Sequence, residues 1–180
     1  MRRPASRSAA KALATPPVAV AAKRVLGLDP GSIRTGWGVV ERNGHTARGI
    51  AAGVIRLSER APLAERLEAL HRGVCEVLRE HKPDTVAIED IFFARFPQAA
   101  LVLGHARGVA LLAAAQAGLP VSTFPPAVVK RAIVGSGRAE KQQVALLVGA
   151  MLGLRELPGI DATDALAIAL TCLNASRLGV

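Results

Sequence analysis

Two short apolar segments of this 180-residue chain each end in a carboxylate, and this pattern limits the fold more than any other feature. Residues 25–29 read Val-Leu-Gly-Leu-Asp and run into the turn residues 30–32, Pro-Gly-Ser, while residues 85–89 read Thr-Val-Ala-Ile-Glu. Short apolar runs of this kind are typical of buried strands. Because ligands gather at the carboxyl ends of strands in open α/β sheets, Asp29 and Glu89 are candidate site residues.

The rest of the chain alternates between strand-like and helix-like periodicity. Further strands are predicted at residues 36–40, 46–57 and 121–124. Apolar residues recur at helical spacing over residues 63–78, ahead of Pro83, and more helices are predicted at residues 98–117, 127–134, 139–152 and 162–175. Three strands, a helix, a strand, a helix, a strand and then helices predict a single α/β domain over residues 24–180.

Basic residues are in excess and are concentrated at the start of the chain. There are 23 Lys and Arg against 14 Asp and Glu, for a formal net charge of +9. Residues 1–23 contain no acid, and we predict that they form a disordered basic arm, although their composition is also similar to that of a transit peptide. A basic chain favours a polyanionic partner, most often nucleic acid.

The sequence lacks the features of membrane-spanning and disulfide-bonded proteins. No apolar stretch reaches the roughly 18 residues that a membrane span needs, so no membrane partner is expected. Cys75 and Cys172 lie far apart without CxxC or Cys/His spacing, which indicates buried, reduced thiols. We therefore predict a cytoplasmic protein.

A third acidic segment begins the last predicted helix. Asp161 and Asp164 are three residues apart, which places both carboxylates on one helix face. Each also has a structural explanation, Asp161 as an N-cap and Asp164 as an acid that favours the helix dipole. Together with Asp29 and Glu89, however, three separate segments bring carboxylates to the end of an element. Converging carboxylates repel each other unless a cation neutralises them, and hard oxygen ligands favour Mg2+ or Mn2+.

Aromatic and basic residues supply a second pattern. The chain has only five aromatic residues, and three of them lie in residues 92–96, Phe-Phe-Ala-Arg-Phe, directly after the second acidic segment. Phe92 and Arg95 in such a loop suit stacking on unpaired bases, whereas Phe93 is equally well explained as a core residue. The candidate phosphate contacts that follow, each also explicable as a solvated surface charge, are Arg107, Lys130, Arg131, Arg138 and Lys141.

These residues resemble one family, the RuvC crossover-junction endodeoxyribonucleases, which have the ribonuclease H-like fold. The matching stretches are residues 25–40 (VLGLDPGSIRTGWGVV), 86–92 (VAIEDIF), 103–110 (LGHARGVA), 129–144 (VKRAIVGSGRAEKQQV) and 161–169 (DATDALAIA). They follow the family order and cover nearly all of residues 24–177. The resemblance implies a five-stranded mixed sheet flanked by helices, and a structure-specific DNA endonuclease that resolves Holliday junctions in recombination and repair.

The resemblance also implies site residues, cofactors and partners. The family's metal-binding acids match Asp29, Glu89, Asp161 and Asp164, which would hold two Mg2+ ions, with Mn2+ as a plausible substitute. It implies DNA contacts by Phe92, Lys130 and Lys141, with Lys141 also balancing charge at the scissile phosphate, and the contacts expected of Arg95, Arg107 and Arg138 rest on residue type alone. Two ions about 3.5–4 Å apart would activate the attacking water and stabilise the leaving oxygen. Paired nicks imply a homodimer, for which the apolar helix at residues 98–117 is a candidate interface, and the branch-migration proteins RuvA and RuvB as partners.

Departures from the family pattern leave other functions open. Residues 94–98 read Ala-Arg-Phe-Pro-Gln, where the family usually has a polar stretch, so the loop that would contact the junction differs from the family pattern. The alternatives are a ribonuclease H-like nuclease acting on RNA or other branched DNA, and a non-catalytic junction-binding protein. An actin-like ATPase is suggested by the Asp-Pro-Gly-Ser and Thr-Gly loop, but the chain has no room for that fold's second lobe.

Overall fold

A computed structural model describes residues 23–90 and 97–176 of the chain. The strands are β1 (Arg24–Asp29), β2 (Arg34–Asn43), β3 (Thr46–Arg56), β4 (Thr85–Glu89) and β5 (Val121–Phe124). The helices are α1 (Leu63–His81), α2 (Pro97–Gln116), α3 (Pro126–Val134), α4 (Lys141–Leu152) and α5 (Ile160–Ala175). The predicted basic arm, apart from Lys23, and the predicted base-stacking residues Phe92 and Arg95 lie outside the described residues.

The five strands form one mixed sheet in the order β3-β2-β1-β4-β5. The first three strands pair antiparallel, whereas β4 lies parallel to β1 and β5 lies parallel to β4. The predicted five-stranded mixed sheet flanked by helices is therefore confirmed. Because β1 and β4 are parallel neighbours, with Leu28 opposite Ile88, their carboxyl ends lie side by side.

Helices cover both faces of the sheet, and alternate residues of each strand belong to different cores. In β1, Leu26 and Leu28 pack with α1 and α2, whereas Val25 packs with α4 and α5. In β4, Ile88 packs on the α1/α2 side and Ala87 on the α5 side. Successive side chains of a strand point to opposite faces. The last residues of β1 and β4, Asp29 and Glu89, therefore lie on the α5 side of the sheet.

Helix α5 packs directly on the sheet because three sheet residues beneath it, Gly27, Gly36 and Gly38, have no side chain. A Cβ on Gly27 would lie 2.0 Å from the carbonyl oxygen of Ala165, and a Cβ on Gly36 would lie 2.0 Å from that of Asp161. This role of the glycines is not evident from the sequence, since the neighbour of a strand glycine depends on which helix crosses it.

The structure also corrects element boundaries. The first helix extends to His81 rather than residue 78, and β2 covers Arg34–Asn43 rather than residues 36–40, because pairing with β3 continues to the turn. Helix α4 begins at Lys141 rather than residue 139, since Glu140 forms a capping box with Gln143. The alternative of Asp161 as an N-cap is wrong: Gly159 is the N-cap of α5.

Lys82, the C-cap of α1, adopts a left-handed conformation with φ 45° and ψ 59°. This conformation crowds the Cβ of any L-residue but not glycine, which is the usual residue at such a position. We expect Lys82→Gly to raise the free energy of unfolding by about 0.5–1 kcal/mol, because relief of strain exceeds the added freedom of the unfolded chain. Urea unfolding measures this, and a lower midpoint for the variant would contradict it.

Candidate active site

The carboxylates of Asp29 and Glu89 meet at the carboxyl ends of β1 and β4. Each residue is the last of its strand, and the strands are parallel neighbours in register. The two side chains share a hydrogen bond. The two strand-terminal acids therefore lie together at one edge of the sheet, which follows from the register of β1 on β4.

Two helices bring the charged side chains of Lys141 and Asp164 close to Asp29 and Glu89. Lys141 is the first residue of α4, and its Nζ lies 2.8 Å from the Oδ2 of Asp164, in the first turns of α5. A pocket of about 270 Å3 collects these side chains, and its lining residues are Asp29, Glu89, Pro126, Val129, Lys130, Lys141, Val144, Asp164, Ala167 and Ile168. Five separate elements, β1, β4, α3, α4 and α5, therefore each deliver a charged group to one concavity.

Burial and mutual repulsion shift the titration of the two strand-terminal acids. Burial, and then the negative charge of Asp164, raise the pKa of Asp29 to about 6. Burial and the charge of Asp29 raise the pKa of Glu89 to about 7. Their shared hydrogen bond favours a protonated Glu89 that donates to an ionised Asp29, and the Lys141 ammonium opposes both shifts. Two half-buried carboxylates with raised pKa values form a site that gains stability from positive charge.

Asp161 lies near this cluster but outside the pocket. Its charge raises the pKa of Asp29, although less than that of Asp164 does. Its carbonyl packs against Gly36 of β2, which fixes the start of α5 against the sheet. Of the four acids predicted to converge, three therefore line one pocket, and the fourth stands one helical turn before Asp164.

The donor set fits a hard divalent cation, but the side chains form an open cluster. Carboxylate oxygens are the ligands that Mg2+ and Mn2+ prefer. The raised pKa values of Asp29 and Glu89 indicate that a bound cation would stabilise their ionised forms. Across residues 23–90 and 97–176, no three His, Cys, Asp or Glu side chains already lie close enough together to hold a metal ion. Unneutralised carboxylates repel each other, and Asp164 is paired with Lys141, so binding requires these side chains to close together.

The predicted basic contacts fall into three groups. Lys130 and Lys141 line the pocket, beside the carboxylates. Arg138 is exposed in the connection between α3 and α4, where its backbone N–H donates to the Ser136 hydroxyl. Arg107 instead pairs with Asp90 at 3.0 Å. Sequence reasoning missed this ion pair, although strand alternation could have indicated that Asp90 faces away from Glu89.

No helix in the described part of the chain is both long and apolar enough to cross a membrane.

Comparison with known proteins identifies the family. The family model for crossover junction endodeoxyribonuclease RuvC matches residues 25–172. The RuvC crossover junction endodeoxyribonuclease of Azorhizobium caulinodans is 50% identical over 148 residues, which are 82% of this chain and 88% of that protein. The Halorhodospira halophila protein of the same name is 52% identical over 147 residues, 82% of this chain and 87% of that one.

Solved structures agree with this result. Thermus thermophilus RuvC in complex with a Holliday junction substrate has a TM-score of 0.81 and 41% identity, covering 87% of this chain and 97% of that one. The yeast mitochondrial Holliday junction resolvase shares the fold alone, with a TM-score of 0.64 at 16% identity over 91% of this chain and 82% of that one. The ribonuclease H-like fold inferred from the motifs is thus confirmed. The chain belongs to the RuvC family of crossover junction endodeoxyribonucleases.

Proposed function

We propose that this protein resolves Holliday junctions in DNA recombination and repair by metal-dependent, paired nicks in two strands. Family membership supports the activity, and the observation that carries its assignment to this site is the pocket shared by Asp29, Glu89, Asp164 and Lys141. The pocket is acidic, the Lys141 ammonium lies at its rim, and the chain has a net charge of +9. These charges suit a DNA phosphodiester that binds together with divalent metal ions.

Two Mg2+ ions would be held by Asp29, Glu89, Asp161 and Asp164, and Mn2+ would serve in their place. Asp29 would be the central ligand, since its pKa is affected by each of the other three acids. When bound, the ions supply Lewis acidity to the attacking water and to the leaving oxygen. The protein's side chains would hold the ions in place. Because water is the nucleophile, no side chain has to attack the phosphate.

Lys141 is the group best placed to balance charge at the phosphate. Its Nζ pairs with Asp164, yet 69% of its side chain is exposed, so it can turn from the carboxylate to a phosphate oxygen without loss of buried contacts. Lys130 on the wall of the pocket and the exposed Arg138 would hold the adjacent DNA backbone. Phe92 and Arg95 would stack on unpaired bases at the junction.

A homodimer through α2 would match the two-fold symmetry of paired nicks. The exposed side of α2 carries apolar Leu101 and Leu112, which are 63% and 51% exposed. Between them, Gly104 and Gly108 face open space, which would let a second helix approach closely. We also propose that the dimer acts in the cytoplasm with RuvA and RuvB.

We expect Leu101→Glu to convert the dimer into monomers, since a charge would be buried in the proposed interface. Paired nicking of a junction should then give way to single nicks. Sedimentation velocity measures the assembly state, and Leu146→Glu on α4 is the matched control because Leu146 is 68% exposed on another helix. A Leu101→Glu variant that stays dimeric would place the interface elsewhere.

The activity is tested by incubating the protein with a mobile four-way junction in Mg2+ and in EDTA, and mapping products on both opposing strands. Paired nicks in Mg2+ and none in EDTA support the proposal. Flaps, RNA–DNA hybrids and plain duplex distinguish another nuclease of this fold, which would cut one of these in preference. Junction binding without cleavage in Mg2+ would indicate a non-catalytic junction-binding protein.

A further inference from the structure

An ion pair links the end of β4 to the middle of α2, next to the candidate active site. A nitrogen of the Arg107 guanidinium lies 3.0 Å from a carboxylate oxygen of Asp90, and the two side chains are 22% and 39% exposed. Asp90 directly follows Glu89, which contributes to the acidic pocket. The pair is therefore one residue away from a candidate metal ligand, although neither of its members lines the pocket.

The pair lies on the opposite face of the sheet from the carboxylate cluster. Ala87 of β4 packs on the α5 side, and Glu89, two residues later, reaches the pocket that α5 lines. Ile88 packs on the α1/α2 side, and Asp90, two residues later, reaches Arg107 of α2. The sheet therefore separates the Arg107 guanidinium from a phosphate bound above Asp29, which argues against the phosphate contact predicted from the sequence.

Asp90 is held at both its backbone and its side chain. Its backbone N–H donates to the carbonyl oxygen of Phe124 at 2.9 Å, which continues the pairing of β4 with β5. Its carboxylate is held by Arg107, and the neighbouring residues Ala106 and Ala110 of α2 are fully packed in the core. Asp90, the residue after Glu89, is therefore fixed by two contacts, one with β5 and one with α2.

Keeping Arg107 in this position carries a cost. The Nε of Arg107 is buried and has no hydrogen-bond partner among the described residues. An unsatisfied buried donor lowers stability, so an apolar residue would suit the fold better unless the guanidinium has another use. Holding Asp90 on the far side of the sheet is such a use, because a fifth free carboxylate beside Glu89 would otherwise compete for cations.

We propose that Arg107 is a positioning residue for Glu89: through the carboxylate of Asp90, it fixes the carboxyl end of β4 so that Glu89 projects into the pocket. This inference rests on the proposed nuclease function. It predicts that loss of Arg107 slows nicking of a bound junction but does not weaken junction binding. A phosphate contact would have the opposite signature.

The test compares Arg107→Gln, Arg107→Lys, Asp90→Asn and the double variant Asp90→Asn/Arg107→Gln with the wild-type protein. Nicking of a pre-bound junction is measured in a single turnover, and junction affinity is measured in EDTA at two salt concentrations. We expect Arg107→Gln to slow nicking by about 10-fold or more, the usual effect of losing a group that orients a metal ligand. The dissociation constant and its salt dependence should stay as in the wild type, and Arg107→Lys should recover part of the rate.

The double variant should be no slower than the slower single variant, because both changes remove one interaction. Arg138→Gln is the control for a phosphate contact, and it should weaken binding and lower the salt slope by about 1. Arg72→Gln is the control for loss of an ion pair, since Arg72 pairs with Glu68 at 3.1 Å on exposed α1, and it should change neither rate nor affinity.

Two results would overturn the inference: an Arg107→Gln variant that behaves like Arg138→Gln, or one that nicks at the wild-type rate. Additive effects of the two single changes would also overturn it. A wild-type protein that nicks no junction is a failure of the proposed function instead. The coupling between Asp90 and Arg107 in the free energy of unfolding then still tests whether the two side chains act as a unit.

Discussion

Asp29→Asn is expected to slow junction nicking by more than about 100-fold, because a ligand should matter more than the outer groups that merely orient ligands. Asp29 shares a hydrogen bond with Glu89 and responds to the charges of Asp161, Asp164 and Lys141, so it is the electrostatic centre of the cluster. Loss of its charge weakens cation binding without removing packed atoms. Junction affinity in EDTA should therefore stay as in the wild type, and fluorescence anisotropy measures it.

The same variant should be more stable than the wild type when no metal is present. Burial and the charge of Asp164 raise the pKa of Asp29 from 3.8 to about 6, so the native state binds its proton more tightly than the unfolded chain does. The wild type therefore loses stability as the pH rises from about 4 to above 6. We expect Asp29→Asn to gain up to about 3 kcal/mol over the wild type at pH 8, and less at pH 5. Urea unfolding in EDTA at the two pH values measures this gain.

Asp84→Asn provides the matched control. The Oδ2 of Asp84 accepts backbone hydrogen bonds from Lys23 and Arg24 at 2.9 and 2.8 Å, at the far end of β1. Loss of that carboxylate should lower stability and leave nicking of the folded protein unchanged, the reverse of the pattern for Asp29→Asn. If Asp29→Asn nicks at the wild-type rate in Mg2+, the assignment of this pocket as the active site is wrong.

Gly36→Ala is expected to lower both stability and activity. Its Cβ would lie 2.0 Å from the carbonyl oxygen of Asp161, a backbone atom that cannot move without moving the start of α5. Overpacking against a fixed backbone usually costs about 1–3 kcal/mol, and the upper end applies here. The shift would displace Asp161 and Asp164 together. Since misplacement by about 1 Å can cost about 100-fold in rate, nicking should fall by a comparable factor even where the variant is folded.

Gly49→Ala separates this effect from the general cost of a methyl group on the sheet. A Cβ on Gly49 of β3 would meet the end of the Leu154 side chain at 2.8 Å, and a leucine can change its rotamer. We expect a small loss of stability and wild-type nicking. Thermal unfolding and single-turnover nicking of both variants measure the difference. If Gly36→Ala nicks as fast as Gly49→Ala, the seating of α5 on β2 does not position the two aspartates.

Local patterns in the sequence determined the elements and the family. The apolar runs that end in Asp29 and Glu89 predicted strands with acids at their carboxyl ends, and both strands form as expected. The spacing of the apolar residues predicted the bounds of the helices to within a few residues. This spacing arises because each helix buries one face. The motifs at residues 25–40 and 161–169 indicated the family that the comparisons confirm.

The tertiary structure decided which of these residues meet. The hydrogen bond between Asp29 and Glu89 depends on the register of β1 on β4, and the pairing of Lys141 with Asp164 depends on how α4 packs against α5. Arg107 was predicted from its charge to contact DNA, but it pairs with Asp90 on the other face of the sheet. A sequence specifies residue type and local period, whereas contacts between groups far apart in the chain are fixed only when the elements pack. The chemistry of this site arises from those contacts.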